Sequence, residues 1–575
     1  MRKLLIYLRE FRKECILAPL FKLLEAILEL FVPVIVATMI DGGISGGDRG
    51  LILRSGLLLL ALALAGLIMA VTAQWFAARA ATGFAARVKT ALMRRIQSLS
   101  ARQQDALGAP TLIGRLTGDM NQVQTGVNLT LRLLLRSPFV VLGALIMAFT
   151  VDAKAALVFA ALIPVLSLCV FLVMKATLPR YRDIQEASDG VLGVTRENLT
   201  GVRVIRAFGM EENEEARFVG RHDRLTRLQI ATQRVAAALN PLTLLIVDIA
   251  LAILIYVGAV RVDVGALSQG RVVALTNYMS QILVELIKLA NLLITISKSL
   301  ACAERISDVL AVEPDMASGS ETPDWAARPL IQMEGVSLSY GGEGKEAIRD
   351  VSLTLDAGES LGIIGGTGSG KSSVAALIPR LYDATAGRVL VGGRDVRALD
   401  LAALRAGIGY VPQKARLFRG TVRDNLLMGN RQATDDMLWA ALRTAQCEDF
   451  VRALPEGLDA PVEQNGRNFS GGQRQRLTIA RALVRKPAVL ILDDSASALD
   501  AKTDAELRAA LRRDQEEAAL IVISQRASSV MALDRILVLD DGVVVGYGTH
   551  ERLLSDCPVY RETYEAQFPP EKEAV

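Results

Sequence analysis

Long apolar runs occur only in the first half of the chain. A membrane-spanning helix needs about 20 residues to cross roughly 30 Å of hydrocarbon. The connections 81–130 and 178–240 are long and basic, and their periodicity predicts helices that continue past the bilayer. Basic connections face the cytoplasm, so an even number of spans places both termini there. We therefore predict an all-α, six-span transmembrane domain over residues 1–311, with spans near residues 16–40, 55–80, 131–151, 154–177, 241–262 and 271–298.

The amino-terminal stretch MRKLLIYLREFRKECILAPLF is charged and interrupted by polar residues. It lacks the small-residue cleavage site of a signal peptide and favours an amphipathic helix at the membrane surface. A net charge of +4 over 575 residues does not indicate a nucleic-acid partner. The five cysteines form no CxxC pair, so the sequence indicates neither a disulfide framework nor a zinc site.

The pattern changes after residue 311. Residues 312–327, VEPDMASGSETPDWAA, combine Pro, Ser, Gly and acids without periodicity, which predicts a linker. Beyond it, short apolar strands alternate with helical stretches, a pattern typical of an α/β domain with a partly parallel sheet. We assign this second domain to residues 328–568 and a carboxyl-terminal tail to residues 569–575.

The stretch SLGIIGGTGSGKSSVAALI, residues 360–378, matches the phosphate-binding pattern G-x-x-x-x-G-K-[ST] between a predicted strand and a predicted helix. Its glycines let backbone N–H groups point at phosphate oxygens, and the helix amino terminus adds partial positive charge. The alternative is a fortuitous glycine-rich turn. Such a turn would not require the lysine and the hydroxyl residue that complete the pattern here. We predict ATP binding by Gly365, Gly366, Thr367, Gly368, Ser369, Gly370, Lys371, Ser372 and Ser373.

Two aspartates end the apolar strand in VLILDDSASALD, residues 489–500. A carboxylate at the end of a buried strand can hold a magnesium ion together with the hydroxyl of Ser372. The alternative role for Asp493 is a helix cap, and the two roles are compatible. With the phosphate-binding pattern present, we predict that Asp493 is a magnesium ligand.

The stretch VEQNGRNFSGGQRQRLTIARAL, residues 462–483, contains SGGQ, which resembles the signature sequence of ABC transporter ATPases. The resemblance covers the whole chain and implies an exporter-type half-transporter with a P-loop nucleotide domain, a RecA-like core plus a helical subdomain. It implies that Tyr340 stacks on adenine and that Gln413 links the magnesium nucleotide to the membrane domain. The signature implied to cap the nucleotide of a second subunit consists of Ser470, Gly471, Gly472 and Gln473.

Further stretches resemble the same family. SALD, residues 497–500, resembles the loop at the dimer interface, and GYGTHERLL near the end is typical of these domains. LIGRLTGDMNQV, residues 112–123, resembles the first intracellular coupling region, and residues 197–214 resemble the second. Among such proteins, the chain resembles one subunit of a bacterial multidrug-type exporter.

The chain departs from the family pattern at two positions. Active members carry glutamate after the metal-binding aspartate and histidine after the next strand, where this chain has Asp494 and Gln525. Losing a well-placed acid–base group costs about 10²–10⁴ in rate. The resemblance therefore implies a degenerate site that binds ATP but hydrolyses it slowly. With SGGQ intact, we predict a heterodimer whose partner subunit supplies the glutamate and the histidine; chance drift is the alternative for either change alone.

Ionisable residues within predicted spans are costly and suggest function. Asp248 is either a cavity-lining residue or a structural hydrogen-bonding residue, and Glu285 and Lys288 are spaced to pair. The three carboxylates Asp248, Glu25 and Glu29 suit a cationic amphipathic cargo. The predicted substrate path comprises Asp248, Glu285 and Asn291.

The sequence thus predicts ATP-driven export of hydrophobic or amphipathic molecules across a prokaryotic cytoplasmic membrane, with ATP and Mg²⁺ as cofactors. Two alternatives remain. One is an ATP-gated regulatory membrane protein that transports nothing, and the other is an importer with an exporter-like fold. No motif encodes the direction of transport.

Overall fold

The chain forms two compact units in this computed structural model, which describes residues 4–340, 346–495 and 499–568. The membrane unit comprises residues up to 97 and residues 108–312. The α/β unit comprises residues 98–107 and the chain from residue 313 onward. A short piece of the first half thus groups with the second unit.

The helices of the first half are long and nearly continuous. Their bounds are 3₁₀ Leu4–Phe11, α1 Arg12–Thr38, π Met39–Ile44, α2 Arg49–Ser98, α3 Ala101–Leu107, α4 Ala109–Gly114, π Arg115–Asp119, α5 Met120–Leu133, α6 Arg136–Val151, α7 Ala153–Phe208, α8 Glu211–Ala237, α9 Leu239–Asp263 and α10 Gln269–Ala311.

Six helical stretches of the described residues are long and apolar enough to cross a membrane. They contain the six predicted spans: Leu4–Ile44, Arg49–Ser98, Ala109–Val151, Ala153–Phe208, Glu211–Asp263 and Gln269–Ala311. Several run far beyond the length of a bilayer crossing, as their basic extensions predicted. The chain is therefore a multi-pass membrane protein.

Small residues and terminal caps organise the membrane unit. Ala73, Ala77 and Ala80 are fully buried on one side of α2, where small side chains allow close helix packing. The carboxylate of Asp152 caps α7 by accepting from the N–H groups of Lys154 at 3.0 Å and Ala155 at 2.9 Å. These contacts explain why a single residue suffices to turn the chain between α6 and α7.

A buried polar cluster joins α1, α6 and α10. The guanidinium of Arg136 donates to Glu285 and, at 2.6 Å, to Glu29. Glu285 also accepts from Ser137 at 2.9 Å and from Lys288 at 2.9 Å. The two carboxylates and two cations balance, so the cluster carries no net charge in a region where an unpaired charge is expensive.

The α/β unit contains a mostly parallel sheet and an antiparallel sheet. The six-stranded sheet has the order β12-β11-β3-β10-β9-β6, in which β11, β3, β10, β9 and β6 are parallel. The four-stranded antiparallel sheet has the order β2-β1-β4-β5, and β7 pairs with β8. The strands are β1 Ile331–Leu338, β2 Ile348–Leu355, β3 Ser360–Gly365, β4 Ala386–Val391, β5 Arg394–Asp395, β6 Ile408–Val411, β7 Gly420–Thr421, β8 Pro461–Val462, β9 Val489–Asp493, β10 Ala519–Ile523, β11 Arg535–Asp540 and β12 Val543–Gly548.

Helices cover these sheets and build two apolar cores. One core lies between the sheets and contains Ile363 and Ile521, and the other contains Leu477 and Leu492. The six-span helical domain followed by an α/β nucleotide-domain architecture confirms the predicted fold class. The helices are α11 Lys371–Leu377, α12 Leu401–Ala406, α13 Val422–Leu427, α14 Asp435–Thr444, α15 Glu448–Arg452, α16 Gly471–Leu483, α17 Ala501–Asp514, α18 Ala527–Val530, α19 His550–Asp556 and α20 Pro558–Gln567, with 3₁₀ turns at Gly457–Asp459 and Gln464–Gly466.

The stretch predicted to form the first coupling region groups with the membrane unit, and its coupling role stays a prediction. Within 81–130, the residues that group with the α/β unit are 98–107, whereas residues 112–123 belong to the membrane unit. The reason is an ion-pair cluster: Asp119 accepts from Arg115 at 2.7 Å and from the Nε of Arg305 at 3.0 Å, which ties this segment to α10. Asp119 thus links this segment to α10.

The buried cluster makes a testable prediction about stability. Replacing Glu285 with Ala leaves the buried Arg136 with a single carboxylate, and we expect a loss of about 3 kcal/mol. Replacing Glu29, whose side chain is 42% exposed against 3% for Glu285, should cost about 1 kcal/mol or less. Thermal unfolding of both variants in the same detergent, followed by fluorescence, measures the difference. Equal decreases in unfolding temperature would contradict the claim that Glu285 is the more important, buried partner of Arg136.

Candidate functional site

Four neighbouring parallel strands end at one edge of the six-stranded sheet, and each is followed by a predicted site residue. The phosphate-binding pattern follows β3, Gln525 follows β10, Asp493 and Asp494 end β9, and Gln413 follows β6. Carboxyl ends of parallel strands form the usual ligand-binding edge of an open α/β sheet. The sheet order thus brings together residues that are up to 160 positions apart in sequence, since Gly365 and Gln525 differ by that number.

The loop after β3 has the backbone conformation that a phosphate cradle requires. Gly368 and Gly370 have positive φ angles of 84° and 92°, in a region that other residues rarely occupy. A side chain on Gly370 would also meet the carbonyl of Ala347. The exposed Gly366, Thr367 and Gly368 form the open side of the loop, and Gly365 and Ser369 are buried beneath it.

The ammonium of Lys371 lies inside this loop. It donates to the carbonyl oxygens of Gly365 at 2.9 Å and Gly366 at 2.6 Å, and to Ser369 Oγ at 3.3 Å. Burial lowers the pKa of the Lys371 ammonium from its usual range, and the carboxylates of Asp494 and Asp493 oppose that shift. The lysine is therefore a cation held at the position where a phosphate chain would be cradled.

Oxygen atoms suited to magnesium converge beside the loop. Ser372 Oγ donates to Asp493 Oδ1 at 2.8 Å, and Tyr410 donates to Asp493 Oδ2 at 3.2 Å. Burial raises the pKa of the Asp493 carboxyl, whereas the hydrogen bonds from Ser372 and Tyr410 lower it. A hydroxyl and a carboxylate in contact are hard ligands of the kind that Mg²⁺ prefers, so this donor set fits the ion.

Asp494 and Gln525 lie at the same edge with different surroundings. Asp494 Oδ2 accepts from Gln413 Nε2 at 3.3 Å, and its backbone has a φ of 44°, which aspartate tolerates better than most residues. Gln525 is exposed, and its loop is fixed through the backbone instead. The side chain of Gln567 in α20 donates to the carbonyl of Gln525 at 2.9 Å and accepts from the N–H of Ala527 at 2.8 Å.

The signature stretch caps α16. Ser470 Oγ accepts from the N–H of Gln473 at 3.3 Å, and Gln473 Oε1 accepts from the N–H of Ser470 at 2.9 Å. This reciprocal capping box fixes the start of a 13-residue helix. Ser470 and Gly471 are exposed, with Gly472 and Gln473 partly so, and the helix amino terminus therefore faces outward.

Tyr340 lies near the cradle but on the antiparallel side of the unit. Its side chain is 46% exposed, and its hydroxyl donates to Ser373 Oγ at 2.9 Å. In SALD, residues 497 and 498 lie outside the described residues, while Asp500 caps α17 by accepting from the N–H of Thr503 at 2.9 Å. Sequence reasoning did not single out Tyr410; its position three residues before Gln413, at the end of β6, was the available signal.

The predicted substrate-path residues differ in their environments. Asp248 and Asn291 have exposed side chains, and Asp248 forms no ion pair with any residue that the structure describes. Glu285 is buried in the neutral cluster described above. Glu25 pairs with Lys22 at 2.6 Å and Glu29 with Arg136 at 2.6 Å, so a cationic cargo would compete with these cations for the two carboxylates.

Comparisons with known proteins agree with this geometry. Residues 15–286 match the family model described as the ABC transporter transmembrane region, and residues 348–497 match the one described as ABC transporter. The chain belongs to the ABC transporter family. It is an ABC transporter with its membrane domain fused to its ATP-binding domain, and the ATPase domain supports ATP-driven transport.

This ABC transporter is similar to several full-length relatives. It is 36% identical over 566 residues to an uncharacterized ABC transporter ATP-binding protein of Mycobacterium tuberculosis, covering 98% of this chain and 97% of that protein. It is 30% identical over 572 residues to an ATP-dependent lipid A-core flippase of Chromobacterium violaceum, covering 99% and 97%. A multidrug efflux ATP-binding/permease protein of M. tuberculosis is 30% identical over 556 residues, covering 97% of this chain and 46% of that protein.

A solved structure shows the same fold. The structure of a bacterial Atm1-family ABC exporter with ATP bound matches with a TM-score of 0.82 and 23% identity, covering 98% of this chain and 99% of that chain. This ABC transporter therefore has the Atm1-family exporter fold.

The metal ligands make a testable prediction. Replacing Asp493 with Asn removes the carboxylate but keeps the shape, and we expect Mg²⁺-dependent ATP binding to weaken about tenfold or more, at least about 1.4 kcal/mol. Replacing Tyr410 with Phe keeps the Asp493 carboxylate and should weaken Mg²⁺-dependent ATP binding about threefold or less. Titration with a fluorescent ATP analogue, with Mg²⁺ and with a chelator, measures both. An equal loss for Asp493→Asn in the chelator would argue against a metal role.

Proposed function

We propose that this ABC transporter is one half of a heterodimeric exporter that uses ATP to move hydrophobic or amphipathic molecules out of a prokaryotic cell. Its own ATP site binds the nucleotide and hydrolyses it slowly. The observation that carries the proposal is the pair Asp494 and Gln525 at an edge where the cradle, Lys371 and Asp493 are complete. The partner subunit supplies the glutamate and the histidine for the competent site.

ATP retention follows from the groups that hold phosphate and metal. The loop amides and Lys371 bind the phosphates, and Tyr340 offers an exposed ring for adenine. Mg²⁺ would be held by Ser372, Asp493 and Gln413, and it would neutralise charge on the β- and γ-phosphates. Gln413 donates to Asp494, but Lys371, Ser372 and Asp493 are held by contacts with the loop and with Tyr410 that involve neither Asp494 nor Gln525, so binding is separable from cleavage.

Slow cleavage follows from reach and charge. The Asp494 carboxylate is one methylene shorter than a glutamate, and it accepts from Gln413 at 3.3 Å. In this position it contacts Gln413 after β6, and the shorter side chain extends less far toward a water in line with the γ-phosphate. Gln525 is neutral and adds no positive charge to that phosphate. Two such departures at one site should combine to make turnover very slow.

The exposed signature supports a dimer. Ser470 and its capped helix form an outward-facing site of backbone N–H groups, which suits a nucleotide held on another subunit. Phe208, the last residue of α7, is apolar and 77% exposed, and it suits a docking contact with the partner. A homodimer would contain two impaired sites, which is why a heterodimer is favoured.

The cargo class rests on the membrane unit and on the names of relatives. Two relatives are named for multidrug efflux and for flipping of lipid A-core, and we transfer only the chemical class, hydrophobic or amphipathic molecules. Asp248 and Asn291 remain exposed polar groups within spans and are proposed to line the path. Both termini are proposed to be cytoplasmic, with the amino-terminal helix at the membrane surface.

Restoring the family residues should restore cleavage. The double variant Asp494→Glu, Gln525→His returns the longer carboxylate and a cationic group, and we expect ATP hydrolysis to rise about a hundredfold or more. The assay uses proteoliposomes at high protein density, so that two copies of the chain can meet and each supplies an intact Ser470.

The control adds Lys371→Ala to the double variant and should abolish the gain, which assigns it to this site. If the unaltered chain alone already hydrolyses ATP as fast as the double variant, the degenerate-site proposal is wrong.

A further inference from the structure

The amino-terminal segment, residues 4–14, is docked on α2 by one aromatic ring. The ring of Phe11 lies so close to Gly83 that a Cβ atom on this glycine would be 2.2 Å from Phe11 Cζ. The backbone of Phe11 is not helical, with φ of −106° and ψ of 28°, so the 3₁₀ segment and α1 do not form one regular helix. The lack of a side chain at Gly83 therefore allows the joint between these two elements to pack directly on α2.

Two ion pairs add to this docking and neutralise both acidic side chains of the segment. Glu10 Oε2 pairs with a terminal nitrogen of Arg87 at 2.9 Å, and Glu14 Oε1 pairs with Nε of Arg79 at 3.4 Å. Both arginines belong to α2. Because each carboxylate already has a cationic neighbour, the segment repels an approaching anion less than its composition suggests.

Three basic side chains of the same segment remain exposed. Arg9, Arg12 and Lys13 form no ion pair with any residue that the structure describes. Apolar side chains are exposed around them, among them Leu5 and Ile16. Basic and apolar side chains exposed together are typical of a helix that lies in the interface of a bilayer. The segment thus offers positive charge to lipid headgroups and apolar surface to acyl chains.

An aromatic residue of α2 marks the depth at which this segment lies. Trp75 is exposed near the end of the second predicted span, and Arg79 Cζ lies 5.3 Å from the centroid of its ring. Tryptophan at the end of a span is typical of the boundary between hydrocarbon and headgroups. Since Arg79 also pairs with Glu14, the adjacent Arg12 and Lys13 lie close to that boundary.

We propose that Arg9, Arg12 and Lys13, here named the basic patch, bind the headgroups of anionic phospholipids, and that docking on α2 forms this site. The proposal rests on the proposed position of the amino-terminal helix at the membrane surface. Phosphatidylglycerol carries a net negative charge that complements the three cations, whereas phosphatidylcholine is zwitterionic. Each basic residue at a membrane surface adds about fivefold to the preference for an anionic lipid.

Quenching of tryptophan fluorescence by brominated lipids tests the proposal. The chain has three tryptophans, and replacing Trp325 and Trp439 with Phe leaves Trp75 as the reporter beside the basic patch. The full chain is placed in phosphatidylcholine nanodiscs that contain equal fractions of either brominated phosphatidylglycerol or brominated phosphatidylcholine. We expect an association preference for phosphatidylglycerol at Trp75 of about fivefold or more. Equal quenching by the two lipids would overturn the proposal.

A triple variant tests the role of the basic patch. Replacing Arg9, Arg12 and Lys13 with Gln keeps polar side chains of similar length and should abolish the preference for phosphatidylglycerol. A preference that survives in this variant would assign it to other residues and overturn the proposal.

A matched control removes the same net charge elsewhere. Arg49, Arg54 and Lys154 are exposed, and they lie in sequence at the opposite ends of their predicted spans from the basic patch. Replacing these three residues with Gln should leave the preference at Trp75 unchanged. If the control loses the preference as well, overall charge and not the basic patch attracts the lipid, and the proposal is wrong.

The docking on α2 has its own test. Gly83→Ala keeps every charge but displaces the ring of Phe11, so it should lower the preference for phosphatidylglycerol while quenching by brominated phosphatidylcholine is retained. An unchanged preference would overturn the claim that docking on α2 forms the site.

A second reporter separates lipid binding from the position of the segment. Ile6 is exposed, and Ile6→Trp in a chain whose own tryptophans are replaced with Phe places the reporter on the segment itself. If neither brominated lipid quenches this reporter, the proposed position at the membrane surface is wrong. If both lipids quench it equally, that position stands and the binding of anionic headgroups is wrong.

Discussion

The order of strands in the parallel sheet is the constraint on which the rest of the α/β unit depends. Because β3, β10, β9 and β6 are consecutive neighbours, their carboxyl ends deliver a phosphate loop, Gln525, two aspartates and Gln413 to one edge. Separately, these segments are a glycine-rich turn, a loop and a strand end, and none of them forms a complete site. Their chemistry arises from adjacency, and adjacency is secured by a core of aliphatic residues in those same strands. A different strand order would leave every sequence motif intact, but it would separate the residues that form the site.

Much of this could be predicted from sequence because the signals are local. Apolar length located the six spans, and the glycine pattern before Lys371 located the cradle. Residue types whose partners are distant could not be assigned in the same way. Glu285 was predicted to lie on the substrate path, and its contact with Arg136, 149 positions away, could not be predicted from the sequence. Residues 112–123 resemble a coupling region, and no motif predicted that Asp119 within them pairs with Arg305. The hydrogen bond from Tyr382 to Asp105, 277 positions away, has no sequence signal either.

Ion pairs between helices neutralise several charged side chains of the membrane unit. Its clusters at Arg136 and at Asp119 place cations and anions from different helices in contact, so that several ionisable groups lie within or next to spans at low cost. The helix end at Asp152 follows the same principle, since its carboxylate caps α7 and also accepts from Arg261 Nε at 2.8 Å. Asp248, which is exposed in α9, belongs to neither cluster.

The contact between Gln567 and the loop after β10 has a practical consequence. A single amide near the carboxyl end of α20 fixes the backbone on both sides of Arg526, so the far end of the chain belongs to the scaffold of the nucleotide edge. Removing the last turn of α20, or fusing a bulky affinity tag close to Gln567, would disturb ATP chemistry without touching any motif residue. Purification handles for this transporter are better placed at the amino terminus.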